Sequence, residues 1–356
     1  ELQDELSRAI TASLRVRLAP DGEPPSQPPT ENIDAYTSYL KGLHHLNQRT
    51  VEGYRLAIDF FQAALAKDPS YALPHAGIAH SYAMLGFDWY GGMAPLEAWP
   101  LATQSVMKAL ELNPNLVEAH TARAMIRMLY EWDWSGAESS FHRAIELNPG
   151  HAPAHHWFSL FLSTRNRHQE SLSEIRRAHE LDPLSIIINQ NLGRALHLAG
   201  RYEEAIEQFR RTLALDPGFF TTDVMLSQAF TAQGRYDEAM AALRAAEDLT
   251  GHRPLILAEL IFLTAQRGQI EEARRLLAEL VELSGRQHVP VYQLALAHYA
   301  VGDQATAFDL IDKAYQQRST ILPWMASDTA WRMARSDPRM TRILEKLNVP
   351  HNSPDP

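Results

Sequence analysis

Apolar side chains recur three and four positions apart along most of this chain, the spacing of helices that each bury one stripe. Around Arg201 the pattern is clearest: Tyr202, Ala205, Ile206, Phe209 and Leu213 share a face, with Glu203, Glu204 and Glu207 between them. The helices come in pairs with a fixed period. Asp68-Pro69, Asn113-Pro114, Asn148-Pro149, Asp182-Pro183 and Asp216-Pro217 close successive segments, and the last three intervals are 35, 34 and 34 residues. A small residue marks the second helix of each segment at Ala57, Ala102, Ala137, Ser171, Ala205, Ala239, Ala273 and Ala307, with intervals of 45, 35 and then 34 throughout. Eight helix-turn-helix units are predicted. Gly200, Gly234, Gly268 and Gly302 fall at the turns, where a helix end calls for a left-handed residue. The small residue permits close helix approach, and proline after Asp or Asn stops the second helix.

Segments outside this period predict the domain plan. Leu2, Leu6, Ala9, Ile10, Leu14 and Leu18 mark an amphipathic helix over residues 1–19, read as the tail of a missing upstream region, since the chain opens on Glu1 in mid-helix character. Residues 20–34 form a proline-rich linker, 35–320 the solenoid, and 321–356 a C-terminal cap and tail, whose helix carries Met340, Ile343, Leu344 and Leu347. The 45-residue interval hides an insertion of eleven residues around Gly86 to Pro95 in the second unit. Its Trp89 and Tyr90 either fold back over apolar surface or offer a secondary partner contact. The third unit has one extra residue near Trp132-Asp133-Trp134, where packing is again the expectation.

Composition narrows the chemistry. Lys and Arg number 33 against 43 Asp and Glu, a net charge of −10 that disfavours direct nucleic-acid binding. There is no cysteine, which removes disulfides, thiolate metal sites and a cysteine nucleophile. Apolar runs are too short to span a bilayer. Phosphate-cradling glycine loops and the His-Glu-x-x-His helix are absent. His151, His155 and His156 supply too few ligands at metal spacing, so no metal or other cofactor is expected. Glu203-Glu204, Asp237-Glu238 and Glu271-Glu272 recur at one repeat phase near helix N-termini, where they favour the helix dipole rather than act as acid and base. A hidden enzyme would have to draw on His156, His197 and Arg194, and no catalytic residue is assigned.

Leu192-Gly193, Leu196, Tyr202, Ala205, Phe209 and Pro217, and again Ala137, Phe141, Ala144 and Pro149, resemble the tetratricopeptide repeat motif over roughly residues 35–317. Ser171 and Ile175, and Gly251 and Gly285 in place of the closing proline, depart from it. The resemblance implies an all-α, right-handed superhelical solenoid whose first helices line a concave, partner-binding surface. Phase then assigns His156, Trp157, Gln190, Asn191, Arg194, His197, Gln228 and Tyr292 to that groove, with Gln190, Asn191 and Arg194 as the sharpest cluster: amides for a peptide backbone and a guanidinium fork for a carboxylate. Ala76, His80, Thr121 and Met125 stand where chaperone-tail clamps carry their lysine and asparagine pattern, which disfavours that role. The Leu2-Gln3-Asp4-Glu5-Leu6 phrase, Tyr39-Leu40-Lys41-Gly42, Trp132-Asp133-Trp134, His155-His156-Trp157 and Asp182-Pro183-Leu184-Ser185-Ile186 resemble the C-terminal repeat regions of bacterial multidomain regulators that carry TolB-like, winged-helix, cyclase or kinase domains. That resemblance implies a non-catalytic, cytoplasmic interaction or sensing module binding a protein or peptide. A small-molecule sensor is the alternative, and homodimerisation a further expectation.

Overall fold

The computed structural model describes residues 30–90 and 92–349. The helix expected over residues 1–19, most of the linker and the final tail lie outside the described residues. Eight antiparallel helix pairs follow one another. They are α1 (Ile33–Leu46) with α2 (Val51–Lys67), α3 (Ala72–Leu85) with α4 (Pro95–Leu112), α5 (Val117–Ile126) with α6 (Trp134–Leu147), and α7 (Ala152–Thr164) with α8 (His168–Leu181). The second half continues with α9 (Ile186–Leu198) and α10 (Tyr202–Leu215), α11 (Phe220–Ala232) and α12 (Tyr236–Thr250), α13 (Pro254–Gln266) and α14 (Ile270–Ser284), and α15 (Val291–Ala300) and α16 (Gln304–Gln316). A last helix, α17 (Pro338–Lys346), follows two short 3-10 turns. Among the described residues there is no strand.

The periodic residues do what their spacing implies. The small residues of the second helices are buried, seven alanines completely and Ser171 to 1% exposure. Serine is tolerated because its hydroxyl donates to the Ser159 carbonyl at 2.9 Å. Gly193 is needed for close approach: a Cβ there would sit 2.5 Å from Cε1 of Phe209. Asp216, before Pro217, is extended and stops α10, as the steric demand of the proline ring requires. At the turn of the fifth unit Gly200 has φ 73°, and the Arg201 N–H reaches back to the Leu196 carbonyl at 2.9 Å, closing the helix end.

The third unit solves its extra residue differently. After α5 the chain runs through a π-turn over Arg127–Glu131, and Asp133 N–H bonds the Arg127 carbonyl. A π-turn absorbs one inserted residue without disturbing the flanking helices. Trp132 then occupies the left-handed turn position at φ 57°, one period before Asn166 and two before Gly200. A bulky residue there is strained, and tertiary contacts offset the cost: the Tyr315 ring lies 5.0 Å away and the Arg318 guanidinium 4.2 Å above the indole.

Those contacts come from the far end of the chain, and they extend the predicted role of the cap. Met340, Ile343 and Leu344 of α17 are buried, and Lys346 pairs with Asp312 of α16 at 3.0 Å. The segments on either side of α17, however, cross to the second, third and fourth units. Arg318 donates to the Tyr130 carbonyl at 3.2 Å, and the Trp324 indole donates to Ser163 Oγ at 3.0 Å. Trp134 donates to the Leu347 carbonyl at 2.8 Å, and Arg165 to that of Asn348 at 2.7 Å. The insertion completes the seam. The buried Asp88 carboxylate accepts from Ser319 Oγ and from the Thr320 N–H at 3.0 Å, while its own N–H donates to Thr320 Oγ1 at 3.0 Å. One continuous apolar cluster therefore joins Tyr54 through Trp157 to Tyr292 through Val349. The array closes on itself.

Candidate functional site

The closure leaves a recess of about 100 Å³ on the concave side. Its walls come from the first helices of four successive units: Arg194 and His197 on α9, Gln228 on α11, Glu259 on α13 and Tyr292 on α15. Asp88 and Trp89 of the insertion and Ile321, Trp324 and Asp328 of the C-terminal segment roof it over. Residues separated by more than two hundred positions thus share one recess because the C-terminal segment crosses back to the second, third and fourth units.

Of the eight groove residues picked by phase, four line this recess: Arg194, His197, Gln228 and Tyr292. Arg194 lies with its guanidinium 4.6 Å above the Trp324 ring. Among the described residues it makes no hydrogen bond or ion pair with another protein group. Burial lowers its pKa to about 10, with Asp328 and Tyr292 opposing, so it stays charged at neutral pH. Gln228 donates to Glu259 at 2.7 Å. Tyr292 accepts from the Trp331 indole at 2.9 Å and donates to Asp328 at 2.8 Å. His197 stacks edge-on against Tyr202 with its Nδ1 unpaired, and burial holds its pKa down at about 4.

The remaining four are committed elsewhere. Asn191 donates both to the Ile187 carbonyl at 2.9 Å and to His156 Nε2 at 3.0 Å, which places the His156 proton on Nδ1. Burial lowers the His156 pKa to about 3, so the ring is neutral. Gln190 donates to the Met225 sulfur and accepts from Thr221. Trp157 is buried in the cluster that the C-terminal segment completes. The amides of Gln190 and Asn191 therefore hold the groove together from within, and Arg194 alone of that trio faces the recess. Trp89 lines the recess and packs against the middle units, while Tyr90 sits edge-on to Tyr54 at 5.1 Å.

Besides Asp88 in the roof, two acidic residues outside the phase assignment lie here. Glu259 is one period beyond Met225, two beyond Asn191 and three beyond Trp157, so stepping by 34 from the groove residues reaches it. Its signal was a lone charge in the apolar run Pro254 to Leu263. Burial raises its pKa to about 7, with Asp328 adding repulsion and the Gln228 bond opposing. Asp328 comes from outside the array and carried no periodic signal; burial raises its pKa against hydrogen bonds from Ala330 N–H and Tyr292. Outside the recess, His155 has both ring nitrogens engaged, Nδ1 by Glu174 at 2.6 Å and Nε2 by the Pro149 carbonyl at 3.0 Å. Glu204 and Glu238 pair with Arg201 and Arg235 on the surface. Among the described residues no cluster of three metal-ligating side chains occurs, and no helix is long and apolar enough to cross a membrane.

Comparison with known proteins agrees with this architecture. Family models described as tetratricopeptide repeat match residues 162–219, 192–254 and 230–299. The yeast Tom70 structure superposes with a TM-score of 0.51 at 18% identity, covering 97% of this chain and 77% of that one. A monomeric mutant of IFIT1 with Gppp-AAAA gives 0.56 at 14% identity, covering 79% of this chain and 71% of that one. The transcriptional regulator HilA of Salmonella typhimurium is 25% identical over 152 residues, 43% of this chain and 27% of that protein. Drosophila melanogaster protein O-mannosyl-transferase Tmtc2 is 37% identical over 73 residues, 20% of this chain and 8% of that protein. This chain thus spans about a quarter of the regulator and under a tenth of the transferase. Residues 162–299 thus match the tetratricopeptide repeat family, and the described array has that fold, one that generally mediates protein–protein interaction and is typically a non-catalytic scaffold.

Proposed function

We propose that this array is a non-catalytic, cytoplasmic interaction module of a bacterial signalling or transcription regulator. In this reading it binds a protein or peptide partner on its concave face and does not contact nucleic acid itself. The observation that carries it is Arg194: a charged guanidinium on the concave side, held over the Trp324 ring and, among the described residues, given no protein hydrogen bond. An acidic side chain or chain-terminal carboxylate of a partner would satisfy it in a bidentate fork. The partial similarity to HilA supports the regulator context. Homodimerisation through the terminal units belongs to the same proposal and is read by light scattering.

The test compares the full chain with an Arg194→Ala/Gln228→Ala variant as baits, after circular dichroism shows both equally helical. A partner held by wild type and lost by the variant supports groove binding. Equal recovery by both baits refutes it. A second reading is favoured by the partial roof over the recess: a volume of about 100 Å³ partly covered by Trp89 and Trp324 suits a small molecule, which makes the array a metabolite-sensing domain.

A further inference from the structure

We infer that the recess takes a compact zwitterion of the amino-acid class, with its carboxylate on Arg194 and its ammonium on Glu259. The inference rests on the small-molecule reading of the recess and names the chemistry of the ligand.

Charge and hydrogen-bonding capacity are unbalanced inside this chamber. Arg194 is the one Lys or Arg side chain among its lining residues; its guanidinium lies over the Trp324 ring, and among the described residues its N–H groups meet no acceptor. The nearby carboxylate that could have neutralised it by contact is otherwise occupied: Asp328 accepts from Tyr292 at one oxygen and from the Ala330 N–H, at 2.9 Å, at the other. On α13, Glu259 takes a neutral amide donor from Gln228 at one oxygen and, among the described residues, no cationic partner. Gln293, one period further along, adds a buried side-chain oxygen without a donor. One part of the chamber thus offers donors and positive charge, another offers acceptors and negative charge.

A ligand must answer both to bind well, because an unmatched buried charge or polar atom costs more than its contacts return. A lone phosphate or carboxylate would meet Arg194 but face repulsion from Glu259 and Asp328. A simple amine would leave Arg194 bare. A neutral sugar would satisfy neither charge. A molecule with a carboxylate and an ammonium a few bonds apart complements both, and Trp89, Met225, Leu255 and Leu296 provide apolar surface for a small side chain.

The test is isothermal titration of the full chain at neutral pH with each standard amino acid. For every binder, the acid lacking the amine and the amine lacking the carboxylate are titrated as well. The expected result is saturable binding of at least one amino acid, with each single-charge analogue weaker by about tenfold or more. Arg194→Gln and Glu259→Gln should each lose about tenfold or more, with unchanged helicity; the second keeps an oxygen for the Gln228 amide and so guards against simple misfolding. Equal binding of an acid without its amine, or wild-type affinity in both variants, overturns the inference. A parallel panel of sugars, nucleotides and polyols separates the two levels: a binder lacking paired charges overturns the zwitterion but leaves the small-molecule reading standing, and no binding by anything overturns both.

Discussion

The seam between the insertion and the C-terminal segment can be opened at one residue. Asp88→Ala deletes the acceptor shared by Ser319 Oγ and the Thr320 N–H, both buried, with Thr320 fully so. Leaving a buried donor unsatisfied costs about 1–3 kcal/mol, which gives a gross loss of roughly 2–6 kcal/mol for two. Part of this is offset. Burial raises the Asp88 pKa, with the Ser319 and Thr320 bonds opposing, so ionising this carboxyl costs more in the native state than in the unfolded chain. A carboxylate whose folded pKa lies above its unfolded value contributes most below the unfolded value and loses that contribution as pH rises through the folded one. The expected net loss is therefore about 2 kcal/mol at neutral pH and larger near pH 4. Asp88→Asn retains an oxygen for Thr320 and should lose less than half as much. Because repeat arrays unfold segmentally, the local readout is amide hydrogen exchange at residues 88 and 319–325, beside urea unfolding of the whole chain. Unchanged exchange at Thr320, together with a loss below about 0.5 kcal/mol in Asp88→Ala, would show that this carboxylate does not hold the seam.

Three further outcomes follow from the same geometry. Gly193→Ala should destabilise by about 1–3 kcal/mol in urea titration, because its methyl group would collide with Phe209; a neutral result would contradict the helix spacing. Glu259→Gln should flatten the stability profile between about pH 4.5 and 7: the wild-type carboxyl, raised to about 7, loses up to roughly 3 kcal/mol as pH climbs through that window, and the amide loses none. His156 works in the opposite direction. With its folded pKa lowered to about 3, the unfolded chain takes up the proton first, so stability falls as pH drops below 6.5; His156→Gln should reduce that acid loss in thermal melts at pH 4 to 6.5.

What the order of residues determined by itself is local and periodic. Helix pairs, their number, the left-handed turns and the buried small positions all follow from interactions within a few dozen residues, so a 34-residue interval predicts Ala205 and Gly200 as well as Ala239 and Gly234. The same stepping brought Arg194, His197, Gln228 and Tyr292 to one side of the array. It could not tell which of those groups remain free, because whether Gln190 and Asn191 spend their amides on Met225 and His156 depends on neighbours one period away in space. Tertiary structure alone decided the closure. The insertion and the C-terminal segment lie outside the period, and their pairing at Asp88 and Thr320 spans 232 residues, a separation at which no helical spacing carries information. That crossing turned an open groove into a partly roofed recess and brought Asp328 and Trp324 to Arg194, because the C-terminal segment folds back across the first helices to reach the second, third and fourth units.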